Sequence, residues 1–247
     1  MPLPPHVLSS RAELEEVSRR KAAGVYYGDH RLLCRLLGDY LAFVDARDLM
    51  LGPRLVLDGF WEAWVTLALA RYLQPGMWCV DVGANYGYYT LLMAAACGPE
   101  GRVVACEPNP LLAETYLPQN LSLNGFYHGV GVCPKVVGNL DDRTVDFVLH
   151  DGDFATSSLE RWAYAHRCGT VQAPAITLDR LCADWPRLDL VKIDAERPDG
   201  PRAGSPARCQ CGSPLRAAKA TWALNAAVCC LRLPAIVSPL FRATRVA

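Results

Sequence analysis

Residues 78–90, WCVDVGANYGYYT, combine an acid and two glycines in an order that suits a nucleotide-like ligand. The apolar, β-rich run Trp78–Val82 predicts a buried parallel strand. Gly83 and Gly87 follow it, and because glycine has no Cβ the backbone there can approach a ligand closely. The helix expected next presents unpaired backbone N–H groups at its N-terminus. This stretch therefore predicts the first turn of a nucleotide-binding fold.

The carboxylate of Asp81 separates two classes of ligand. Dinucleotide sites use the pattern Gly-x-Gly-x-x-Gly, so that a pyrophosphate can lie on the helix N-terminus. Here the pattern is Asp-x-Gly-x-Asn-x-Gly, in which the acid repels a diphosphate and attracts the ammonium and sulfonium groups of S-adenosylmethionine. S-adenosylmethionine is therefore the predicted cofactor. Asp81→Ala or Gly83→Val is expected to abolish its binding and to leave the fold largely intact.

A second acid follows the next predicted strand. Residues 102–106 run from Arg102 through four apolar residues, and Glu107 comes directly after them, 20 residues beyond Gly87. An acid at the end of the second strand accepts hydrogen bonds from ribose hydroxyls in either cofactor class. An acid at position 107 therefore indicates a cofactor that contains a nucleoside. Asp81 indicates that this cofactor is S-adenosylmethionine rather than a dinucleotide.

A third group of charged residues follows the apolar stretch 188–193. Lys192, Asp194 and Glu196 alternate along the chain, so they lie on one side of the strand as it ends. Acids at strand ends in an open parallel sheet face the ligand crevice. Asp194 and Glu196 are therefore the candidate catalytic residues, near the methyl group or the acceptor hydroxyl. The alternative is a salt bridge that closes the strand end.

Five short motifs succeed one another along the chain: VDVGANYGYYTLL, EPNP, NLSLNGF (120–126), TLDRL (177–181) and LVKIDAE (190–196). In this order and spacing they resemble the FkbM family of S-adenosylmethionine-dependent methyltransferases. The resemblance covers residues 55–196, and it is silent about the substrate. The cofactor-binding residues expected from the motifs are Asp81, Gly83, Asn85, Gly87, Thr90, Glu107 and Asn109.

The elements that must position these residues are those of an α/β protein. The resemblance implies a Rossmann-like, doubly wound, mostly parallel sheet of the class I methyltransferase type, lacking its last strands. Periodicity and end signals predict helices at residues 11–23, 60–72, 88–97 and 110–124. Strands in pairs are expected at residues 40–44 with 54–57 and at residues 130–137 with 144–150.

Three polar residues in these helices have two possible interpretations. Glu62 is either an exposed helical acid or part of the cofactor rim. Asn120 and Asn124 are expected to form a polar helix face and a C-terminal turn rather than to bind ligand.

Composition and charge bound the function. With 247 residues, 51% of them apolar, the chain can bury one substantial core, and its zero net charge does not favour nucleic acid or an anionic membrane as partner. The eleven cysteines include no C-x-x-C pair, so they are expected to be reduced, with no metal site. The N-terminus lacks the pattern of a signal peptide, which predicts a cytoplasmic protein without a membrane span.

The chain is expected to have three parts. Residues 1–74 form a helix and hairpin extension packed on the core, residues 75–196 form the S-adenosylmethionine-binding core, and residues 197–247 form an atypical tail. The tail holds one lysine and seven arginines against one acid, a net charge of +7, so residues 1–196 carry −7. Its composition, rich in Ala, Arg, Pro and Cys, resembles GC-rich coding sequence read in a shifted frame. Residues 197–220 are therefore expected to be poorly ordered, and the chain marginally stable and inactive.

The function predicted for the intact fold is O-methylation of a small-molecule or glycan hydroxyl by S-adenosylmethionine. Two alternatives stay open: an inactive remnant that binds the cofactor, and a Rossmann oxidoreductase that uses NAD. The spelling of the turn, with Asp81 ahead of Gly83, disfavours the oxidoreductase.

Overall fold

A computed structural model describes residues 10–139, 141–150 and 167–194 of the chain. In these residues the helices are α1 (Arg11–Lys21), α2 (Leu51–Asp58), α3 (Ala63–Tyr72), α4 (Tyr88–Cys97), α5 (Leu117–Leu123) and α6 (Leu178–Leu181). The strands are β1 (Gly24–Gly28), β2 (Arg31–Leu36), β3 (Tyr40–Asp45), β4 (Trp78–Val82), β5 (Arg102–Cys106), β6 (Val130–Cys133), β7 (Val136–Gly138), β8 (Thr144–His150), β9 (Arg167–Thr177) and β10 (Leu190–Ile193). A π-helical turn, Leu112–Tyr116, leads directly into α5.

The central sheet contains β10, β4, β5 and β6 in that order, and each neighbouring pair is parallel. Both of its faces are covered, because alternate residues of β4 belong to different cores. Cys79 packs in one core, and Val80 and Val82 pack in the other. Apolar side chains on both faces are typical of parallel strands between helices. The predicted α/β fold with a mostly parallel, Rossmann-like sheet is confirmed.

The strand order reverses beside β4. β5 and β6 follow β4 along the chain and lie on one side of it, whereas β10 comes much later and pairs with its other side. In open α/β sheets such a reversal opens a crevice at the carboxyl ends of the strands, where ligands bind. The crevice therefore lies where β4, β5 and β10 end, at Val82, Cys106 and Ile193.

The antiparallel sheet β1-β2-β3 is fixed to the core by Asn120 of α5 and by Asn124, the residue that caps the end of this helix. The amide of Asn124 donates to the carbonyl of Leu41 and accepts from its N–H, at 2.7 and 3.0 Å. Asn120 pairs with Phe43 in the same way, at 3.0 and 2.6 Å. Because the asparagines lie four residues apart on one helix face, they satisfy the edge of β3 as a strand would. Asn120 also donates to the carbonyl of Tyr86 at 2.8 Å, which ties the glycine turn to this sheet.

The predicted helices are present, with small changes at their ends. Ser10 begins α1, since its Oγ accepts from the N–H of Glu13 at 3.2 Å. α4 ends at Cys97, before Gly98, as its sequence predicts. The helix expected at residues 110–124 contains a π-helical turn that the periodicity does not indicate.

The prediction of a strand at residues 54–57 is wrong, because these residues lie in α2. The carboxylate of Asp48 accepts hydrogen bonds from the N–H groups of residues 50–52, at 2.9–3.3 Å, and so supports the start of the helix. Gly59 ends the helix with a positive φ of 71°. The strand that pairs with β3 is β2 instead.

The prediction that residues 130–137 pair with residues 144–150 is also wrong. β6 joins the central sheet beside β5, while β7 and β8 both pair with β9, β7 in parallel and β8 antiparallel. The intervening Asp141 does not form a hairpin turn. Its carboxylate accepts from the N–H and the hydroxyl of Thr177 at 2.6 and 2.9 Å, which holds this segment at the end of β9.

Several expectations fall on parts of the chain outside the described residues. These are the tail at residues 197–247 and the candidate catalytic residue Glu196. Among the described residues, no helix has the length and apolar character needed to cross a membrane. In the same part of the chain the cysteine side chains are free thiols, at positions 34, 79, 97, 106, 133 and 182.

Candidate active site

The turn between β4 and α4 is held by the end of the neighbouring strand. The N–H groups of Gly83 and Ala84 both donate to the carbonyl of Cys106, at 2.9 and 3.1 Å. Three residues of the turn have positive φ, namely Gly83 at 75°, Asn85 at 52° and Gly87 at 89°. Asparagine tolerates this conformation better than most residues, which explains its place between two glycines.

Gly87 meets a second requirement for glycine. A Cβ at this position would lie 2.6 Å from Cδ1 of Leu117, in α5. The turn therefore needs glycine both for its backbone conformation and for the close packing of α5 against it. This packing places the first turn of α4 directly at the carboxyl end of β4.

Glu107 lies at the end of β5 and is buried. Its Oε2 accepts from the N–H of Asn85 at 2.8 Å, and its Oε1 accepts from the N–H of Asn109 at 2.9 Å. Burial raises the pKa of this carboxyl to about 7, although the two backbone donors act in the opposite direction. A carboxylate has about four acceptor positions, so two of them are available to a ligand.

Asp81 is fully buried, and both of its oxygens are engaged. The hydroxyl of Thr90, in the first turn of α4, donates to Oδ2 at 2.6 Å. The ammonium of Lys192 lies 2.9 Å from Oδ1, because the parallel register places Lys192 beside Asp81. This ion pair joins β10 to β4 at the point where the strand order reverses.

Lys192 is 3% exposed and has further neighbours in the crevice. Its Nζ donates to the carbonyl of Gly83 at 3.1 Å, lies 3.9 Å from Oδ2 of Asp194, and lies 4.9 Å from the ring centre of Tyr89. Burial lowers the pKa of this ammonium, but Asp81 and Asp194 outweigh burial and raise the pKa above its usual value. A charged Lys192 thus forms a salt bridge at the strand end, which is the alternative that the sequence leaves open, and Asp81 is its closest partner.

Asp194 lies at this site, and Glu196 lies outside the described residues. The N–H of Asp194 donates to the carbonyl of Val82 at 2.9 Å, so the ladder between β10 and β4 continues past Ile193. The side chain of Asp194 is 29% exposed, which leaves its carboxylate accessible to a ligand. Its catalytic role stays a prediction.

The remaining predicted residue, Asn109, is bound to Glu107 through its backbone N–H. Asn109 is buried, and its side-chain oxygen accepts from the N–H of Leu111 at 3.1 Å. The structure therefore brings all seven predicted cofactor-binding residues to the adjoining ends of β4 and β5. Of these residues, Asp81, Thr90, Glu107 and Asn109 are buried.

Two residues at the site were not predicted, Lys192 as a central cation and Tyr89 as a link to Glu62. The hydroxyl of Tyr89 donates to Oε2 of Glu62 at 3.1 Å. A lysine inside an otherwise apolar strand, LVKI, was a usable signal, because a buried ammonium requires an acid partner. No comparable signal marks Tyr89. Among the described residues, no group of three or more His, Cys, Asp or Glu side chains is placed to hold a metal ion.

A family model matches the part of the chain that holds most of these residues. Residues 81–198 match the family model described as the methyltransferase FkbM domain. The match confirms the predicted resemblance to this family over residues 81–198. It begins at Asp81, so the residues before it, which the resemblance had included from residue 55, lie outside the matched part.

Curated relatives share only short segments with this chain. A ribosomal RNA large subunit methyltransferase E from Acinetobacter baylyi is 35% identical over 81 residues, which are 33% of this chain and 36% of the relative. A protein-L-isoaspartate O-methyltransferase from Aeropyrum pernix is 46% identical over 66 residues, 27% of this chain and 24% of the relative. The chain thus spans about a third or less of the length of these relatives.

One solved structure aligns with a larger share of the chain than these relatives do. TYW2 from Pyrococcus horikoshii, in complex with MeSAdo, aligns with 57% of this chain and 56% of its own at 19% identity and a TM-score of 0.36.

Proposed function

We propose that this chain is an S-adenosylmethionine-dependent methyltransferase that methylates a hydroxyl group of a small molecule or a glycan. The proposal starts from the match of residues 81–198 to the methyltransferase FkbM domain. The structural observation that carries it is the position of Glu107 beside the glycine turn, at the carboxyl ends of β5 and β4 where the strand order reverses.

The residues at the crevice fit such a cofactor. Glu107 keeps acceptor positions for two ribose hydroxyls, and its backbone bonds to Asn85 and Asn109 hold the carboxylate in place. Gly83 and Gly87 keep side chains away from the turn that a ligand would approach. Asp81 acts indirectly, through Thr90 and through the lysine that bonds to the carbonyl of Gly83.

The reaction needs little covalent help from the protein. S-adenosylmethionine, when bound, would supply an activated methyl group: the acceptor oxygen would form the new bond to carbon, the carbon–sulfur bond would break, and sulfur would leave with the bonding electron pair. The protein holds oxygen, carbon and sulfur in line and accepts the hydroxyl proton. Asp194 is the proposed proton acceptor, because its partly exposed carboxylate lies at the end of β10, beside the crevice. Glu196, two residues further on, is the second candidate.

Charge gives no support to RNA as the acceptor. The chain has a net charge of zero, with −7 on residues 1–196 and +7 on residues 197–247. RNA binding depends on neutralisation of phosphates by lysine and arginine, and residues 1–196, which include the crevice, have an excess of acids. The curated relatives are named for ribosomal RNA and protein acceptors, but each shares only a short segment with this chain.

The proposed cofactor is tested against NAD by thermal unfolding of the full chain. S-adenosylhomocysteine at 100 times its dissociation constant should stabilise the fold by about 2.7 kcal/mol. For a chain of this size, this corresponds to an increase in melting temperature of roughly 5–11 °C. NAD at the same concentration should leave the melting temperature unchanged. The opposite pattern would establish the oxidoreductase alternative, and binding without methyl transfer to any hydroxyl acceptor would favour the inactive remnant.

Nucleoside affinity is expected to depend on pH through Glu107. Ribose hydroxyls donate hydrogen bonds, so they favour the ionised carboxylate, whereas the free chain holds a proton there below a pKa of about 7. Binding below this pH therefore releases a proton. Affinity should rise about tenfold per pH unit up to about pH 7 and then level off.

Calorimetric titration with 5′-deoxy-5′-methylthioadenosine measures this profile, because the ligand has the ribose and lacks the titrating amino-acid group. Glu107→Gln is the matched control, and its affinity should be weak and independent of pH over the same range. A flat profile for the unmodified chain would show that Glu107 does not accept the ribose hydroxyls.

A further inference from the structure

The order of the strands determines how a ligand held at Glu107 must extend. Glu107 follows β5, and the sheet continues through β4 to β10. A cofactor with its ribose at the end of β5, lying across the end of β4, therefore places its other end beside β10. In S-adenosylmethionine that other end is an amino acid with one ammonium and one carboxylate.

The side chains beside the end of β10 include a carboxylate that is not part of the ion pair between Asp81 and Lys192. Glu62 precedes α3, is half-buried, and accepts a hydrogen bond from the hydroxyl of Tyr89. Tyr89 is in the first turn of α4, and Lys192 lies against its ring. Glu62 is thus linked through one side chain to both the glycine turn and β10.

The backbone at Glu62 is held in an uncommon conformation. Its φ of 37° and ψ of 71° are left-handed, which is unfavourable for a residue with a long side chain. The N–H of Thr66 donates to the carbonyl of Glu62 at 3.0 Å, and the hydroxyl of Thr66 donates to the carbonyl of Trp61 at 2.7 Å. These bonds maintain the conformation that directs Glu62 toward Tyr89. Strained residues that the surrounding structure maintains in this way are concentrated at functional sites.

We propose that Glu62 binds the α-ammonium of the cofactor's amino-acid moiety, an inference that rests on the methyltransferase function proposed above. A carboxylate is the side chain that pairs best with a primary ammonium. The bond from Tyr89 comes from a neutral hydroxyl, so it orients the carboxylate and leaves its charge in place. Asp194 is less suited to this role, since Lys192 lies 3.9 Å from it and interacts more strongly with it than with Glu62.

Two ligands that differ only in the amino-acid moiety test this role in the full chain. S-adenosylhomocysteine has the ammonium, and 5′-deoxy-5′-methylthioadenosine does not. Glu62→Gln preserves the shape of the side chain and removes its charge. It should weaken binding of S-adenosylhomocysteine about 10- to 100-fold, the effect of losing a charge-assisted bond. Its affinity for 5′-deoxy-5′-methylthioadenosine should change by less than about threefold.

Matched variants separate this role from general damage to the site. Glu107→Gln should weaken both ligands, because both contain the ribose. Glu62→Gly removes the carboxylate and suits the left-handed backbone, so it should keep the melting temperature and lose S-adenosylhomocysteine affinity as Glu62→Gln does.

Three results would overturn the inference: equal changes for both ligands in Glu62→Gln, no change for either ligand, or a selective loss in Asp194→Asn instead. If the unmodified chain binds neither ligand, the proposed function fails first, and the inference fails with it.

Discussion

Replacing Asp81 by alanine is expected to destabilise the folded chain by about 3–5 kcal/mol, because it leaves the ammonium of Lys192 buried without its closest partner. The same substitution leaves the hydroxyl of Thr90 without its acceptor. From the sequence alone, Asp81→Ala was expected to abolish cofactor binding and leave the fold largely intact. The ion pair changes that expectation, since binding and stability should now be lost together.

A double variant distinguishes loss of the pair from loss of the side chain. Asp81→Ala combined with Lys192→Met removes both buried charges, and it should recover most of the stability lost in the single variant. Urea unfolding of the unmodified chain, both single variants and the double variant measures the coupling. A loss below about 1 kcal/mol in Asp81→Ala, the size of an exposed ion pair, would contradict the arrangement at the strand ends.

Replacing Glu107 by alanine should weaken S-adenosylhomocysteine binding by roughly 1.5–3 kcal/mol, which is about 10- to 150-fold in dissociation constant. Two losses combine in this effect: the ribose hydroxyls lose a charged acceptor, and the N–H groups of Asn85 and Asn109 lose the oxygens that position them.

The control for this variant is Glu114→Ala, which removes an exposed glutamate from the nearby π-helical turn. Its affinity should equal that of the unmodified chain. Calorimetry on the three proteins gives the comparison. An unchanged dissociation constant in Glu107→Ala would reduce Glu107 to a support for the turn, and an equal loss in Glu114→Ala would indicate a nonspecific charge effect.

The central part of the fold could be predicted because its signals are local. The apolar run at residues 78–82, the glycines after it and the helix closed by Gly98 each specify their own conformation. Parallel strands also place their carboxyl ends at one edge, so the convergence of Asp81 and Glu107 followed from sequence order alone.

The errors arose where the deciding contact is distant in sequence or hidden in a side chain. Residues 54–57 have the composition of a strand, but they lie in a helix that Asp48 supports at its start and Gly59 ends. β8 pairs with β9 and not with residues 130–137, which are nearer in sequence. Asp141, just before β8, is bound to Thr177 at the end of β9, 36 residues away. Local propensity does not contain such long-range pairings.

The sequence predicts which charged residues lie at the site, but it does not predict which residues they pair with. An acid at position 81 indicated a charged function, yet only the register between β4 and β10 shows that Lys192 neutralises it. The sequence favours an exposed helical acid at position 62, whereas the structure shows Glu62 half-buried, with a left-handed backbone and a hydrogen bond from Tyr89. Electrostatic roles depend on such three-dimensional partners more than on residue type.

A crystal structure of the chain with S-adenosylhomocysteine would show whether the ends of β4 and β5 hold the cofactor. Both ribose hydroxyls should lie within hydrogen-bonding distance of the Glu107 carboxylate, about 2.5–3.0 Å, with the sulfur beside the turn at Gly83. The ion pair of Asp81 with Lys192 should stay intact beside the ligand. Electron density for the ligand at another surface, or a ribose out of reach of Glu107, would show that the cofactor does not bind at these strand ends.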